Sequence, residues 1–203
     1  MKNAIVIMCT SALMLSSSNA FCDTPTPAQI DKWRKDAALG KPYALHNIGL
    51  IYYKGDVVRL DYEESVKWFL LAASQGDADS EDNMGDAYFY GRGVRQDYTE
   101  AVKWYRLSSE GGYSKGQNNL GNAYFEGKGV GQDYGKALKW YRQAAAQGLG
   151  MAQYKLGTMY SEGLGVNRNP STAREWFREA CDNGDPKGCE EIRKLNSLKA
   201  ADR

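Results

Sequence analysis

Apolar and polar positions along this chain recur with a helical period, and the pattern then repeats as a block. Ala137, Trp140, Tyr141, Ala144 and Ala145 fall at i, i+3, i+4, i+7 and i+8, the apolar stripe of an amphipathic helix. Upstream, Gly116, Leu120, Gly121 and Tyr124 set small, apolar, small and aromatic residues on one face of a helix expected near Gly116 to Phe125. Each unit therefore predicts two helices, A and then B. Trp68, Trp104, Trp140 and Trp176 stand 36 residues apart, and so do Gly49, Gly85, Gly121 and Gly157. A fixed interval without insertion marks a stacked repeat array, in which each unit buries its apolar face against its neighbours. The array contains no strand pattern. Its product is an extended surface, which directs the functional reading to a binding scaffold.

The punctuation agrees with two helices per unit. Helix A runs into a loop with two glycines in three copies: Gly91 and Gly93, Gly127 and Gly129, Gly163 and Gly165. A repeated valine follows (Val58, Val94, Val130, Val166), expected to anchor the loop in the core. Asp61, Asp97, Asp133 and Asn169 read as N-caps of helix B, with Glu64 and Glu100 placed for capping boxes. In the last copy Pro170 takes the first helical position. Glycine inside helix A costs about 1 kcal/mol relative to alanine. Its fourfold return predicts that a neighbouring backbone packs closely there. The tryptophans fall on the stripe of helix B and are expected to hold the stack together. Ile30, Trp33, Ala37 and Gly40 form a partial helix B, and Ile192, Leu195 and Leu198 a final amphipathic cap.

The string small-x3-Leu-Gly-x2-Tyr, then Gly-x-Gly-Val-x2-Asp-Tyr-x2-Ala-x2-Trp-Tyr-x3-Ala, resembles the Sel-1-like repeat, a relative of the tetratricopeptide repeat. The resemblance covers Tyr43 to about Gly184 in four copies. It implies an all-α, right-handed α/α solenoid with capping helices that mediates protein–protein contacts. The expected organisation is a leader over 1–20, an N-terminal segment and capping helix over 21–40, four repeats over 41–184, and a capping helix and tail over 185–203. A narrower resemblance joins the run Ala180–Cys189 to cysteine-rich Sel-1-like proteins, and implies a disulfide between Cys181 and Cys189. Two free buried thiols are the alternative.

Composition changes the picture in two places. Lys and Arg number 26 against 25 Asp and Glu. The chain thus has no overall field to recruit nucleic acid or an anionic membrane. Lys2, the apolar stretch Ala4–Leu15 and small residues at Ser18 and Ala20 are expected to form a secretory leader cleaved near Ala20, with an uncleaved anchor or a buried helix as the alternative. Export to the periplasm or beyond the cell follows, with no membrane span after cleavage, in a compartment that permits disulfides. Cys22 has no assigned role.

Candidate chemistry is sparse. Gly112-Tyr113-Ser114-Lys115-Gly116 has the letters of a nucleophile elbow, but its glycines are repeat positions and no strand precedes it. No serine is followed three residues later by lysine. His46 is the sole histidine, so no catalytic set, metal site or cofactor site is expected. A weak hydrolase of β-lactamase type, an activity attributed to cysteine-rich relatives, is the alternative function. Resemblance to tetratricopeptide arrays implies that helix A lines the concave side. There Asn47, Asn83, Asn119 and Lys155 form a row, flanked by Asp82, Asn118, Asp86 and Asn122, with Tyr53, Phe89 and Phe125 near the helix ends. Asparagines both donate and accept, which suits an extended peptide backbone. The competing reading has the asparagines bonding neighbouring helices and the aromatics in the core. The expected partner is a protein or peptide.

Overall fold

The computed structural model describes residues 24–201, with side chains described over 24–197. The expected leader, Cys22 and the side chain of Leu198 lie outside those residues. Ten helices and no strand occupy the described residues: α1 (Pro27–Ala38), α2 (Pro42–Lys54), α3 (Tyr62–Ala73), α4 (Ala78–Tyr90), α5 (Tyr98–Glu110), α6 (Ser114–Glu126), α7 (Tyr134–Ala146), α8 (Gly150–Glu162), α9 (Pro170–Asp182) and α10 (Pro186–Ala201). Each helix packs on the one before and the one after it, which makes an α/α solenoid. The A/B pairs are α2/α3, α4/α5, α6/α7 and α8/α9. A lone B helix, α1, precedes them, and α10 follows as a lone A helix. Among non-consecutive helices, α4 touches α6 and α8 touches α10, whereas no two B helices meet to that extent. The array therefore bends with the A helices inside.

Helix B starts where its cap is clamped to the preceding helix. Asp61, Asp97, Asp133 and Asn169 each accept a backbone N–H from the first turn. Their own N–H groups donate to the carbonyls of Tyr52, Tyr88, Tyr124 and Tyr160 at 2.8–3.0 Å. That bond removes the need for the capping boxes expected at Glu64 and Glu100. These carboxylates pair instead with Lys67 and Lys103 at 2.9 and 2.6 Å. A capping box does form at α1, between Thr26 and Gln29. Helix A stops at Gly55, Gly91, Gly127 and Gly163, whose φ of 69–77° is open to glycine at little cost.

The interior glycines face a ring rather than the expected backbone. Gly49, Gly85, Gly121 and Gly157 lie against the rings of Phe69, Tyr105, Tyr141 and Phe177, and a Cβ on Gly121 would come within 2.7 Å of Tyr141. Burying a large apolar side chain contributes about 1.5–3 kcal/mol, enough to offset the helix cost of a glycine. These rings are the centre of the stack, with Tyr141 at 0% exposure. The tryptophans, one residue earlier and so about 100° round the helix, are half-buried against the flank of the core clusters. The second loop glycine has its own reason. A Cβ at Gly93, Gly129 or Gly165 would strike the backbone of Tyr62, Tyr98 or Tyr134. The first copy carries Val57 there, and Val57 lines an apolar cavity of about 220 Å³ with Ile30, Ile48 and Trp68.

Cys181 and Cys189 form a disulfide that ties the end of α9 to the first turns of α10. Closing so short a loop contributes about 2.5 kcal/mol in the chain-entropy account. It holds the last A helix on the array.

Candidate functional site: the inward face of the A helices

The inward face carries the row expected from the sequence, and its members divide into two groups. Asn47 donates its amide to the carbonyl of Tyr43 at 2.8 Å, and Asn83 to that of Asp79 at 2.9 Å, each within its own helix. The Oδ1 atoms of both accept nothing. Asn119 instead crosses from α6 to α4 and donates to Asp82 Oδ1 at 2.9 Å. Asn118 is only 5% exposed, yet its side chain makes no hydrogen bond at all. Lys155 has no carboxylate partner; its Nζ lies 5.5 Å from the centroid of Phe125.

The second group is occupied in packing. Asp86 and Asn122 accept the hydroxyls of Tyr105 and Tyr141, each at 2.7 Å. Where helix B carries Phe69 or Phe177, the matching A position is Leu50 or Thr158. Acceptor and hydroxyl thus change together from repeat to repeat. Tyr53, Phe89 and Phe125 meet Tyr62, Tyr98 and Tyr134 edge-on, with centroids 5.4, 4.9 and 5.3 Å apart. Cations from the next repeat cover them: Arg92 over Tyr53 and Lys128 over Phe89. These aromatics are half-buried links between repeats.

Charge grades along the face. Asp79, Asp82 and Asp86 all lie on α4. Asp82 is 6% exposed, and burial, reinforced by the charge of Asp86, pushes its carboxyl up to about 7. Burial also raises Asp86, against the stabilising bond from Tyr105. Lys115, Lys155 and Lys187 follow on α6, α8 and α10. At that basic end a groove of about 430 Å³ opens between α6, α8 and the α9–α10 turn, lined by Asn118, Asn122, Met151, Tyr154, Lys155 and Lys187 among others. Tyr154 and Lys187 escape the sequence reading. Tyr154 sits in register with Asn118, and Lys187 belongs to a helix read only as a cap.

One trio imitates a catalytic set. His46 Nδ1 lies 2.9 Å from Ser80 Oγ and 3.5 Å from Asp77 Oδ1. A triad needs serine and carboxylate on opposite ring nitrogens; here both face the same one. Ser80 is also 0% exposed, in the small core position of its repeat. The trio is structural, and the His46 ring beside Asp77 holds that carboxyl down to about 2. Ser114 of the elbow-like string begins α6 after a turn. Among the described residues no cluster of three or more His, Cys, Asp or Glu is placed to hold a metal.

Comparison with known proteins agrees with this architecture. The family model of the Sel1 repeat matches residues 42–77, 78–113, 114–149 and 150–185. No curated protein matches the chain in sequence. Among solved structures, a protective antigen of uropathogenic Escherichia coli displaying an SLR fold is 39% identical, with a TM-score of 0.77, over 84% of this chain and 36% of the antigen. A Sel1 repeat protein from Oxalobacter formigenes is 32% identical, with a TM-score of 0.76, over 81% of this chain and 66% of its own. The chain therefore spans about a third of the antigen and just under two thirds of the second protein. Cysteine-rich protein B of Helicobacter pylori shares the fold at 21% identity, with a TM-score of 0.52, over 67% of this chain and 98% of its own.

Proposed function

Because the chain belongs to the Sel1 repeat family, whose members generally serve as protein-interaction scaffolds, we propose that it is an exported scaffold holding an extended protein segment along its inward face. One observation carries this reading. On the inward face of the A helices the half-buried Asn47 and Asn83 each bond only through Nδ2 and leave Oδ1 without a donor. An extended backbone presents alternating donors and acceptors, and such groups complement it. The disulfide supports an oxidising compartment. So does the likeness to a protein described as a protective antigen.

A photo-crosslinking amino acid placed in turn at Asn47, Asn83, Lys103 and Lys139 tests the proposal in the source cell. Lys103 and Lys139 are exposed on B helices. Adducts to one protein are expected from Asn47 and Asn83 only, recovered outside the cytoplasm. Adducts from the B-helix positions alone, or none from the inward face, would remove the strip as the binding surface. Adducts confined to the cytoplasm would remove export.

A further inference from the structure

We propose that the apolar cavity between α1, α2 and the loop after α2 binds a small apolar carboxylate, of the chemical class of a medium-chain fatty acid. The tail lies among Ile30, Ile48, Ile51 and Trp68, and the carboxylate between Arg34 and Tyr52; all six residues line the cavity. None of the lining residues belongs to the inward row, so the site is separate from the inward strip.

The cavity exists because the first unit of the stack departs from the others at two points. In later repeats the second loop glycine fits against the start of the preceding B helix. A Cβ would come within 2.2 Å of the Tyr62 carbonyl oxygen at Gly93, and within 2.1 Å of that of Tyr98 at Gly129. Val57 has a Cβ at this position and cannot take that seat. The second departure is polar. Arg106 and Arg142 reach 18 residues ahead and donate to the hydroxyls of Tyr124 and Tyr160 at 3.1 and 2.6 Å. Arg34 and Tyr52 are the same pair in the first unit, yet no hydrogen bond joins them. In the second repeat Leu70 replaces the arginine before Tyr88. Of these four tyrosines, only Tyr52 has an arginine in register that it does not bond.

Apolar walls and a polar rim define the ligand. A dry apolar cavity of about 150 Å³ holds a benzene ring. This one, at about 220 Å³, holds in proportion a body of about eight carbons. Arg34, Ala38 and Val57 are exposed, so the cavity opens to solvent on their side. Arg34 is the one charged residue of the lining. Its ion pair with Asp31, at 3.7 Å, joins two exposed side chains, and such pairs contribute little. The Tyr52 hydroxyl makes no hydrogen bond among the described residues. A carboxylate can accept from a guanidinium N–H and a hydroxyl at once, and the charged bond is the stronger. An alcohol of the same length forgoes that charge, and an amine sets a second cation beside Arg34. A fatty acid alone buries its chain while leaving its one charge at the mouth.

Calorimetric titration of the full chain with octanoate, 1-octanol and octylammonium tests this. One saturable octanoate site is expected, with 1-octanol weaker by about tenfold or more and no binding of octylammonium. Arg34→Gln/Tyr52→Phe should weaken octanoate by about tenfold or more. Its melting temperature should stay at the wild-type value, because neither polar group bonds to the core. Ala37→Leu fills the cavity from its wall and should abolish octanoate binding while the melting temperature holds or rises. Equal affinity for octanoate and 1-octanol, or unchanged octanoate affinity in either variant, would overturn the site. So would the absence of saturable binding, which would leave the cavity to a second copy or to another segment of the chain.

Discussion

At the scale of single residues, repetition supplies internal controls. Ser65 occupies the position held by Ala101, Ala137 and Ala173 in the other repeats, and it is 1% exposed. Its hydroxyl is buried without a partner. A buried hydroxyl left unpaired costs folding free energy, while an alanine of nearly the same shape does not. Ser65→Ala should therefore raise stability by about 1 kcal/mol in urea denaturation; a loss of stability would mean that the hydroxyl is bonded after all. The pairing of ring and acceptor teaches the complementary lesson. Tyr105 with Asp86, Tyr141 with Asn122, and the phenylalanines with Leu50 or Thr158 all stand in the sequence. They read as one device only after the fold brings positions 19 residues apart into contact. Asp86 and Asn122 belong to the inward row, and that contact shows what one oxygen of each accepts.

At the scale of helices, the A helices of the second, third and fourth repeats must also settle a polar contact with the helix before them, where the first repeat has the core residue Leu45. Gln117 and Gln153 donate to the carbonyls of Ser109 and Ala145 at 3.5 and 3.4 Å. Their oxygens accept from Gln147 and Asn183, both at 2.9 Å. In α4 the same position is Glu81, buried and with no hydrogen bond to its side chain. Burial first, then the charges of Asp77 and Glu110, raises its carboxyl. An ionised carboxylate cannot donate to a carbonyl. Glu81→Gln should stabilise the protein by about 1 kcal/mol at neutral pH, with the gain shrinking as acid protonates the wild-type side chain. A gain independent of pH would contradict this account. Helix existence, order and caps were legible because period and capping chemistry are local. The capping boxes were misread because the competing acceptor, a tyrosine carbonyl of the previous helix, is not.

At the scale of the whole molecule, the nearly balanced charges hide opposed titrations. Asp82 has its folded value near 7 against 3.8 for an ordinary aspartate. A carboxyl with a raised folded value holds its proton more tightly folded than unfolded, so its contribution declines as pH climbs from about 4 through 7. Asp77, held near 2, has the opposite sign: its contribution is full above 3.8 and is lost as pH falls toward 2. The denaturation midpoint should accordingly fall as pH rises from about 4 to 7, and fall also as pH drops below about 4. Asp82→Asn should flatten the first decline and exceed the wild type at pH 8. An unchanged slope in that variant would show that another group carries it. The sequence by itself determined a stack of helical pairs and their register. A strict 36-residue period admits one way of burying each apolar stripe, against the next copy. Only the tertiary structure decided which inward residues are spent on packing and which are left unsatisfied. Asn118 and Asn119 are neighbours of the same type, and they part ways because one meets a carboxylate across the helix gap and the other a groove. The same packing makes the tryptophan series a half-buried flank around a column of rings seated on glycine.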